Sequence, residues 1–225
     1  MTSWHDYPAA LLGQTERALL GWLSREVGRA ETWLDVGAHY GYTALALSDL
    51  VGPAGRIFAF EPLTRTAGHL DETRWLNRLT QLTVVPIALG DPETMTRIRL
   101  ATVRGMADRL LTDDASGQPE GDSESIVVSR LDWLWPRIAG QQHEIHGIKI
   151  DVQGMELEAL RGMAGTLREH TPKLIIEVHQ GVNRADVDSL LTQAGYQVPG
   201  TPLETEGLGA SDQSYYFRPA TRVHA

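Results

Sequence analysis

Leu34-Asp35-Val36-Gly37-Ala38-His39-Tyr40-Gly41-Tyr42-Thr43 is the stretch on which the reading of the fold turns. It continues an apolar run, Thr32 to Val36, that has the length of a buried strand. Helical spacing starts at Tyr42 and runs to Val51, where Gly52-Pro53 stops it. The chain therefore passes through a sharp strand-to-helix turn. Glycines at 37 and 41 permit that turn and let a ligand come close to the backbone. The helix amino end offers N–H groups and partial positive charge, which suit a carboxylate or phosphate. One acid, Asp35, stands just before the turn. Another, Glu61, stands at the end of the next strand, 20 residues after Gly41. A carboxylate there can accept hydrogen bonds from both ribose hydroxyls of a nucleoside ligand.

Outward from this turn, strands and helices alternate. An amphipathic helix over Pro8 to Val27 precedes it, with Leu11, Leu12, Ala18, Leu19, Trp22 and Leu23 near helical spacing. After it come a strand over Arg56 to Phe60, a helix over Arg65 to Asn77 and a strand over Leu82 to Leu89. Thr96 to Ala101 and Ser125 to Arg130 alternate apolar and polar residues, as half-buried strands do. Thr112 to Glu124, between them, reads as an exposed connector or a substrate-facing lid. Alternation resumes with a strand at Gly147 to Val152, a helix at Met155 to Arg168, a strand at Lys173 to Val178, a helix at Ala185 to Gln193 and a last strand at Tyr215 to Phe217. Such an order predicts an α/β fold, a mostly parallel sheet with helices on both faces and a ligand site outside the carboxyl ends of its strands. Residues 1–30 form a helical segment packed on or capping a single domain over 31–225.

With 225 residues, 42% of them apolar, the chain is long enough for a sizeable core. A net charge of −9 argues against nonspecific nucleic-acid or anionic-membrane binding. The absence of cysteine excludes disulfides, thiolate zinc and a cysteine nucleophile. No apolar leader or membrane-length run is present, so a cytoplasmic protein is expected. A homodimer is left open.

The turn and the two acids fit either a dinucleotide or S-adenosylmethionine (SAM). His39 occupies the position where the dinucleotide fingerprint has the glycine that admits a pyrophosphate. A bulky residue matters less beside a methionine moiety, and Asp35 suits a methionine ammonium, directly or through water. SAM is therefore favoured over NAD.

Four stretches together resemble the FkbM-type methyltransferases, within the SAM-dependent class with a Rossmann-like fold. They are Asp35 to Gly41, Phe60-Glu61-Pro62, Ala88-Leu89-Gly90-Asp91 and Ile148 to Glu156. Leu160-Arg161-Gly162 and the strand ending Glu177-Val178-His179 also fit. The likeness spans roughly residues 32–180. His39 stands where the family usually has asparagine, and Gln153 where it usually has glutamate. The resemblance implies a seven-stranded sheet whose last strand is antiparallel. It implies that Gly37, Ala38, His39, Gly41 and Thr43 line the methionine portion of SAM, that Glu61 with Pro62 holds the ribose, and that Ala88 and Leu89 border adenine. It also implies O-methylation of a small hydroxyl-bearing acceptor such as a sugar or natural product.

Asp151 follows the same logic at the end of the fourth core strand, next to the first. Glu177 and His179, two residues apart, share one face of the fifth. Asp151 or His179 is the expected general base, with Glu177 beside them. Alternatively Asp151 and Glu177 hold Mg²⁺, which would lower the pKa of a bound hydroxyl. A structural carboxylate at Glu177 and a solvated His179 are the plain readings. The rival functions are an NAD-dependent oxidoreductase and a non-catalytic SAM-binding module.

Overall fold

The computed structural model describes residues 16–103, 106–111, 122–140, 144–203 and 213–220, with side chains for all of these except 100–122. Its elements in chain order are α1 (Arg17–Glu26), β1 (Thr32–Val36), α2 (Tyr42–Val51), β2 (Arg56–Phe60), α3 (Thr64–Leu76), β3 (Leu82–Val85), β4 (Ala88–Leu89), β5 (Thr96–Val103), β6 (Met106–Leu111), β7 (Asp122–Ser129), α4 (Leu131–Ile138), β8 (Gly147–Ile150), α5 (Glu156–Gly162), α6 (Ala164–His170), β9 (Lys173–Val178), α7 (Arg184–Gln193), β10 (Thr201–Pro202) and β11 (Gln213–Phe217). Pro8 to Thr15 of the expected first helix lie outside the described residues. So do residues 112–121 of the expected connector, while Asp122 to Glu124 belong to β7.

Seven strands form the main sheet in the order β10-β11-β9-β8-β1-β2-β3. The pairs β1–β2, β2–β3, β1–β8 and β8–β9 are parallel, and β11 runs antiparallel to β9. The expected fold class is the observed one. The order places β1 at the centre, with β2 on one side and β8 on the other. The carboxyl ends of β1, β2, β8 and β9 therefore meet at one edge.

Strand alternation sorts the core into two layers. Leu34, Val36, Ile148, Ile150, Leu174, Ile176 and Val178 join one cluster with α5, α6 and α7. Trp33, Ile57, Ala59 and Ile175 join the other, against Leu19, Trp22 and Leu23 of α1 and Ala44 and Leu47 of α2. Trp22 of α1 lies 4.4 Å from the Tyr216 ring, so this helix reaches the far strand β11 across the layer.

Two expected elements are each two. The strand expected over Leu82 to Leu89 divides at Pro86: β3 belongs to the main sheet, whereas β4 pairs with β7 in a second sheet of order β4-β7-β5-β6. Proline has no N–H for the ladder, so the chain leaves one sheet there and enters another. The helix expected over Met155 to Arg168 breaks at Met163 into α5 and α6. Gly162, at that break, passes over Gly90, and a Cβ at 162 would lie 1.8 Å from the Gly90 carbonyl oxygen. Helix α4, strand β6 and the short β10 were not expected. In α4, Trp135 is buried against Phe58 at 5.1 Å.

These contacts predict opposite effects for two glycine-to-alanine changes. Gly162→Ala must move backbone and should lower stability by about 1–3 kcal/mol. Gly68→Ala, in helix α3 with nothing within 4 Å of the added Cβ, should raise it by about 0.5–1 kcal/mol. Urea denaturation of the two variants beside wild type measures both; a stable Gly162→Ala would contradict the close crossing.

Candidate functional site

The turn after β1 is held from both sides. The amides of Gly37 and Ala38 both donate to the Phe60 carbonyl, at 2.9 and 3.0 Å, tying the turn to the end of β2. Gly37 has φ +82°, and a Cβ there would lie 1.8 Å from the Asp151 carbonyl oxygen. Glycine is needed at 37 because the backbone after β8 passes directly against it. His39, also left-handed at φ +49°, donates its amide to Glu61 Oε2 at 2.8 Å. The other oxygen of Glu61 accepts the Leu63 amide at 3.0 Å. Burial pushes the Glu61 carboxyl up to about 7, against the pull of these two amides, with the charges of Asp35 and Glu124 adding to the rise. Each oxygen keeps acceptor capacity for a ribose hydroxyl.

Asp35 and Lys149 are paired across β1 and β8. Lys149 Nζ lies 3.5 Å from Asp35 Oδ1 and 3.2 Å from Asp151 Oδ2. Asp35 is wholly buried and Lys149 nearly so. Burial pushes the Asp35 carboxyl up, opposed by Lys149. Burial would lower the ammonium pKa of Lys149, but Asp151 and Asp35 raise it well above the ordinary lysine range. Asp151, despite its burial, is held below the usual carboxylate range by Lys149 and His179. Asp35, expected to meet a methionine ammonium directly or through water, is wholly buried and has Lys149 as its ion-pair partner.

Asp151 lies one residue beyond the end of β8. Glu177 and His179 come up beside it on β9 and just after it. One ligand-type atom from each of Asp151, Glu177 and His179 lies within 4.8 Å of the others. His179 Nε2 is 3.5 Å from Asp151 Oδ1, and its Nδ1 is 2.7 Å from Glu156 Oε1. Gln153 Nε2 donates to Asp151 Oδ1 at 3.3 Å, and Ser214 Oγ to Glu177 Oε2 at 3.4 Å. Burial would lower the His179 pKa, but the Glu156 hydrogen bond and the charges of Asp151, Glu156 and Glu177 push it up to about 9. Burial and the Asp151 charge push Glu177 up to about 7. The carboxylates around His179 thus favour its charged form. His39, by contrast, has its pKa lowered by burial.

Of the other expected residues, Thr43 is buried in the first turn of α2 and Pro62 is half-buried beside Glu61. Ala88 packs with Leu63, next to the same anchor, and Leu89 joins the main core. His146 accepts the Thr32 amide at the opposite edge of the sheet. The sequence candidates Trp4, His5 and Tyr7 for a substrate cap, Arg104 for holding an acidic substrate, and His143 as a metal partner of His146 all lie outside the described residues, as does the side chain of Arg109. The sequence offered Lys149 only as a structural partner for Glu177, whereas it pairs with Asp35 and Asp151, and it gave Glu156 no site role. A lysine between Ile148 and Ile150 in a fully buried strand was the available signal, since a buried charge requires a partner.

The sequence profile of the methyltransferase FkbM domain matches residues 35–198. The chain belongs to this family. That membership decides against the nicotinamide-dependent alternative, and the FkbM domain here is a methyltransferase. Hexuronic acid methyltransferase AglP of Haloferax volcanii is 26% identical over 194 residues, covering 85% of this chain and 74% of that protein. Methyltransferase FkbM from Methylobacillus flagellatus KT superposes with a TM-score of 0.55 at 22% identity, over 83% of this chain. This chain spans only 43% of that protein. Aeropyrum pernix fibrillarin, solved with bound SAM, gives a TM-score of 0.55 at 14% identity, over 88% of this chain and 73% of its own. At these identities the two structures share the fold.

Replacing Lys149 by methionine keeps its length and removes its charge. Asp35 and Asp151 then lose their buried cation, and the variant should be less stable by about 3–5 kcal/mol. Chemical denaturation measures this; a loss under about 1 kcal/mol would show that the ion pair does not hold the sheet edge together.

Proposed function

We propose that this FkbM domain transfers a methyl group from SAM to a hydroxyl of a small sugar-type acceptor, with the Asp151–Glu177 pair taking the hydroxyl proton. One observation carries the reading. A carboxylate tied to the glycine turn, Glu61, and a cluster of two carboxylates and a histidine both belong to the carboxyl edge of one parallel sheet. The residues fit SAM: Glu61 would hold the ribose, and Gly37, Ala38, His39, Gly41 and Thr43 would border the methionine. Ala88, Leu89 and Pro62 would flank the base. When bound, SAM supplies an electrophilic methyl on a sulfonium. The acid excess around Lys149 and His179 favours that cation.

The chain's own residues do the rest. They hold the acceptor oxygen in line with the methyl carbon, which is worth several kcal/mol of the barrier. As the O–C bond forms and the S–C bond breaks, the hydroxyl proton passes to the pair. Asp151 and Glu177 act as one coupled acceptor, and His179, already charged, balances the pair. The uronic-acid acceptor in the name of the Haloferax volcanii relative supports a sugar acid as first choice.

A second reading follows from the same cluster. Asp151, Glu177 and His179 are a plausible ligand set for a divalent cation such as Mg²⁺, which would lower the pKa of a bound hydroxyl. Lys149, 3.2 Å from Asp151, opposes a second positive charge there.

Two measurements test the reading. S-Adenosylhomocysteine, and not NAD⁺, should raise the melting temperature, and Glu61→Ala should abolish the rise. Only ionised Glu61 accepts from both ribose hydroxyls. With a carboxyl pKa near 7, affinity should fall about tenfold from pH 8 to pH 6, as calorimetry would report. A pH-independent affinity would remove Glu61 as the anchor.

Methyl transfer to glucuronic acid should fall about 10²–10⁴-fold in Asp151→Asn, with S-adenosylhomocysteine affinity retained. Full turnover would remove Asp151, and absence of turnover in wild type with intact cofactor binding would remove glucuronic acid as the acceptor. A chelator that stops turnover, with rescue by Mg²⁺, would establish the metal reading over the metal-free one.

A further inference from the structure

Glu156 opens α5 and is wholly buried. Its Oε1 accepts the Gly154 amide at 3.0 Å and lies 2.7 Å from His179 Nδ1. Among the described residues, Oε2 is equally buried and finds no hydrogen-bond partner. A buried carboxylate with one oxygen unsatisfied costs stability. An apolar side chain of similar volume would serve a purely structural position better. What the carboxylate does achieve is to hold one ring. With Nδ1 engaged, the imidazole cannot turn about its side-chain bonds without losing Glu156. Its Nε2 is left 3.5 Å from Asp151 Oδ1, in the space that Asp151 and Glu177 share.

The local chain path explains how a residue so near Asp151 in sequence reaches His179. Gln153 and Gly154 both have left-handed backbones, at φ +54° and +95°. The chain folds back there, so that Gln153 donates to Asp151 Oδ1 while Glu156 passes beneath to the histidine. One short loop thereby supplies the carboxylate, its amide partner and the acid behind the neighbouring ring.

We propose that Glu156 is a positioning residue: it fixes the His179 ring so that Nε2 faces the Asp151–Glu177 pair and the acceptor oxygen bound there. The proposal rests on the reading of that pair as the proton acceptor. Its logic is general. A buried acid behind a histidine holds the ring in one orientation and prevents it from flipping. Glu156 touches neither cofactor nor acceptor and acts only through His179.

The test uses the whole chain labelled with ¹⁵N-histidine. In wild type, NMR should show His179 Nδ1 protonated, with a downfield ring N–H slow to exchange. Glu156→Gln keeps an acceptor oxygen and should keep that signal, whereas Glu156→Ala should lose it. An Nδ1 signal identical in wild type and Glu156→Ala, or no protected N–H in wild type, overturns the proposal. The wild-type spectrum decides even if the alanine variant does not fold.

Turnover with glucuronic acid and SAM gives the second readout. Glu156→Ala should lower kcat about 10–100-fold with S-adenosylhomocysteine affinity unchanged, and Glu156→Gln should recover most of it. The double variant Glu156→Ala/His179→Ala should be no slower than His179→Ala. A slow His179→Ala beside a fast Glu156→Ala sinks the positioning role and leaves the site reading standing. A fast His179→Ala sinks the role assigned to His179. No turnover in any variant sinks the acceptor assignment, while the ring signals still decide Glu156.

Discussion

Lys149 is the cation on which the site edge depends. It sits in a parallel strand between two apolar neighbours, where solvent cannot screen it, and it faces one acid before the cofactor turn and another after β8. A lone charge at that depth would be driven to neutralise. Two carboxylates make it tenable, and it makes them tenable in return. The pairing spans the β1–β8 junction, so the turn expected to carry the cofactor and the acid expected to meet the acceptor share a single counter-ion. The close pass of the Asp151 carbonyl over Gly37 joins the same two segments through the backbone. Electrostatics and sterics therefore constrain the same joint.

Around this joint the charges alternate. Asp35, Lys149, Asp151, His179 and Glu156 form a chain in which each ion has an opposite neighbour. Glu177 stands at its edge, and burial together with the nearby Asp151 charge raises its pKa. The arrangement divides labour among groups of similar chemistry. One carboxylate is kept ionised, one is poised near neutrality, and one is buried behind a histidine that is itself kept charged. Environment, more than residue type, separates their roles.

Much of this was legible in the sequence because it is local. The glycine turn, Asp35 and Glu61 announce themselves through spacing along the chain. Strand periodicity put Glu177 and His179 on one face without a structure. What escaped depends on contacts distant in sequence. One partner of Lys149, Asp35, is more than a hundred residues away, and no periodicity indicates that they will meet. Glu156 looks like an ordinary acid in the first turn of a helix, and only the return of β9 gives it a histidine. Leu82 to Leu89 reads as one apolar strand because pattern alone does not reveal that Pro86 passes the chain to another sheet. Helix α4 was hidden for a related reason: Pro136 and two tryptophans within eight residues obscure a short helical stripe.

That second sheet is also a buttress. Its strand β7 sends Glu124 to cap the amide of Thr64 at 2.6 Å, three residues past Glu61, and Ile126 and Val128 pack with Leu63 between them. The second sheet is thus braced against the segment that follows Glu61. The register of β7 is therefore constrained, since a slip of one residue would turn Glu124 away from α3 and expose Ile126 and Val128. A change at the base of this sheet is felt beside Glu61, although no residue of β7 belongs to the turn itself.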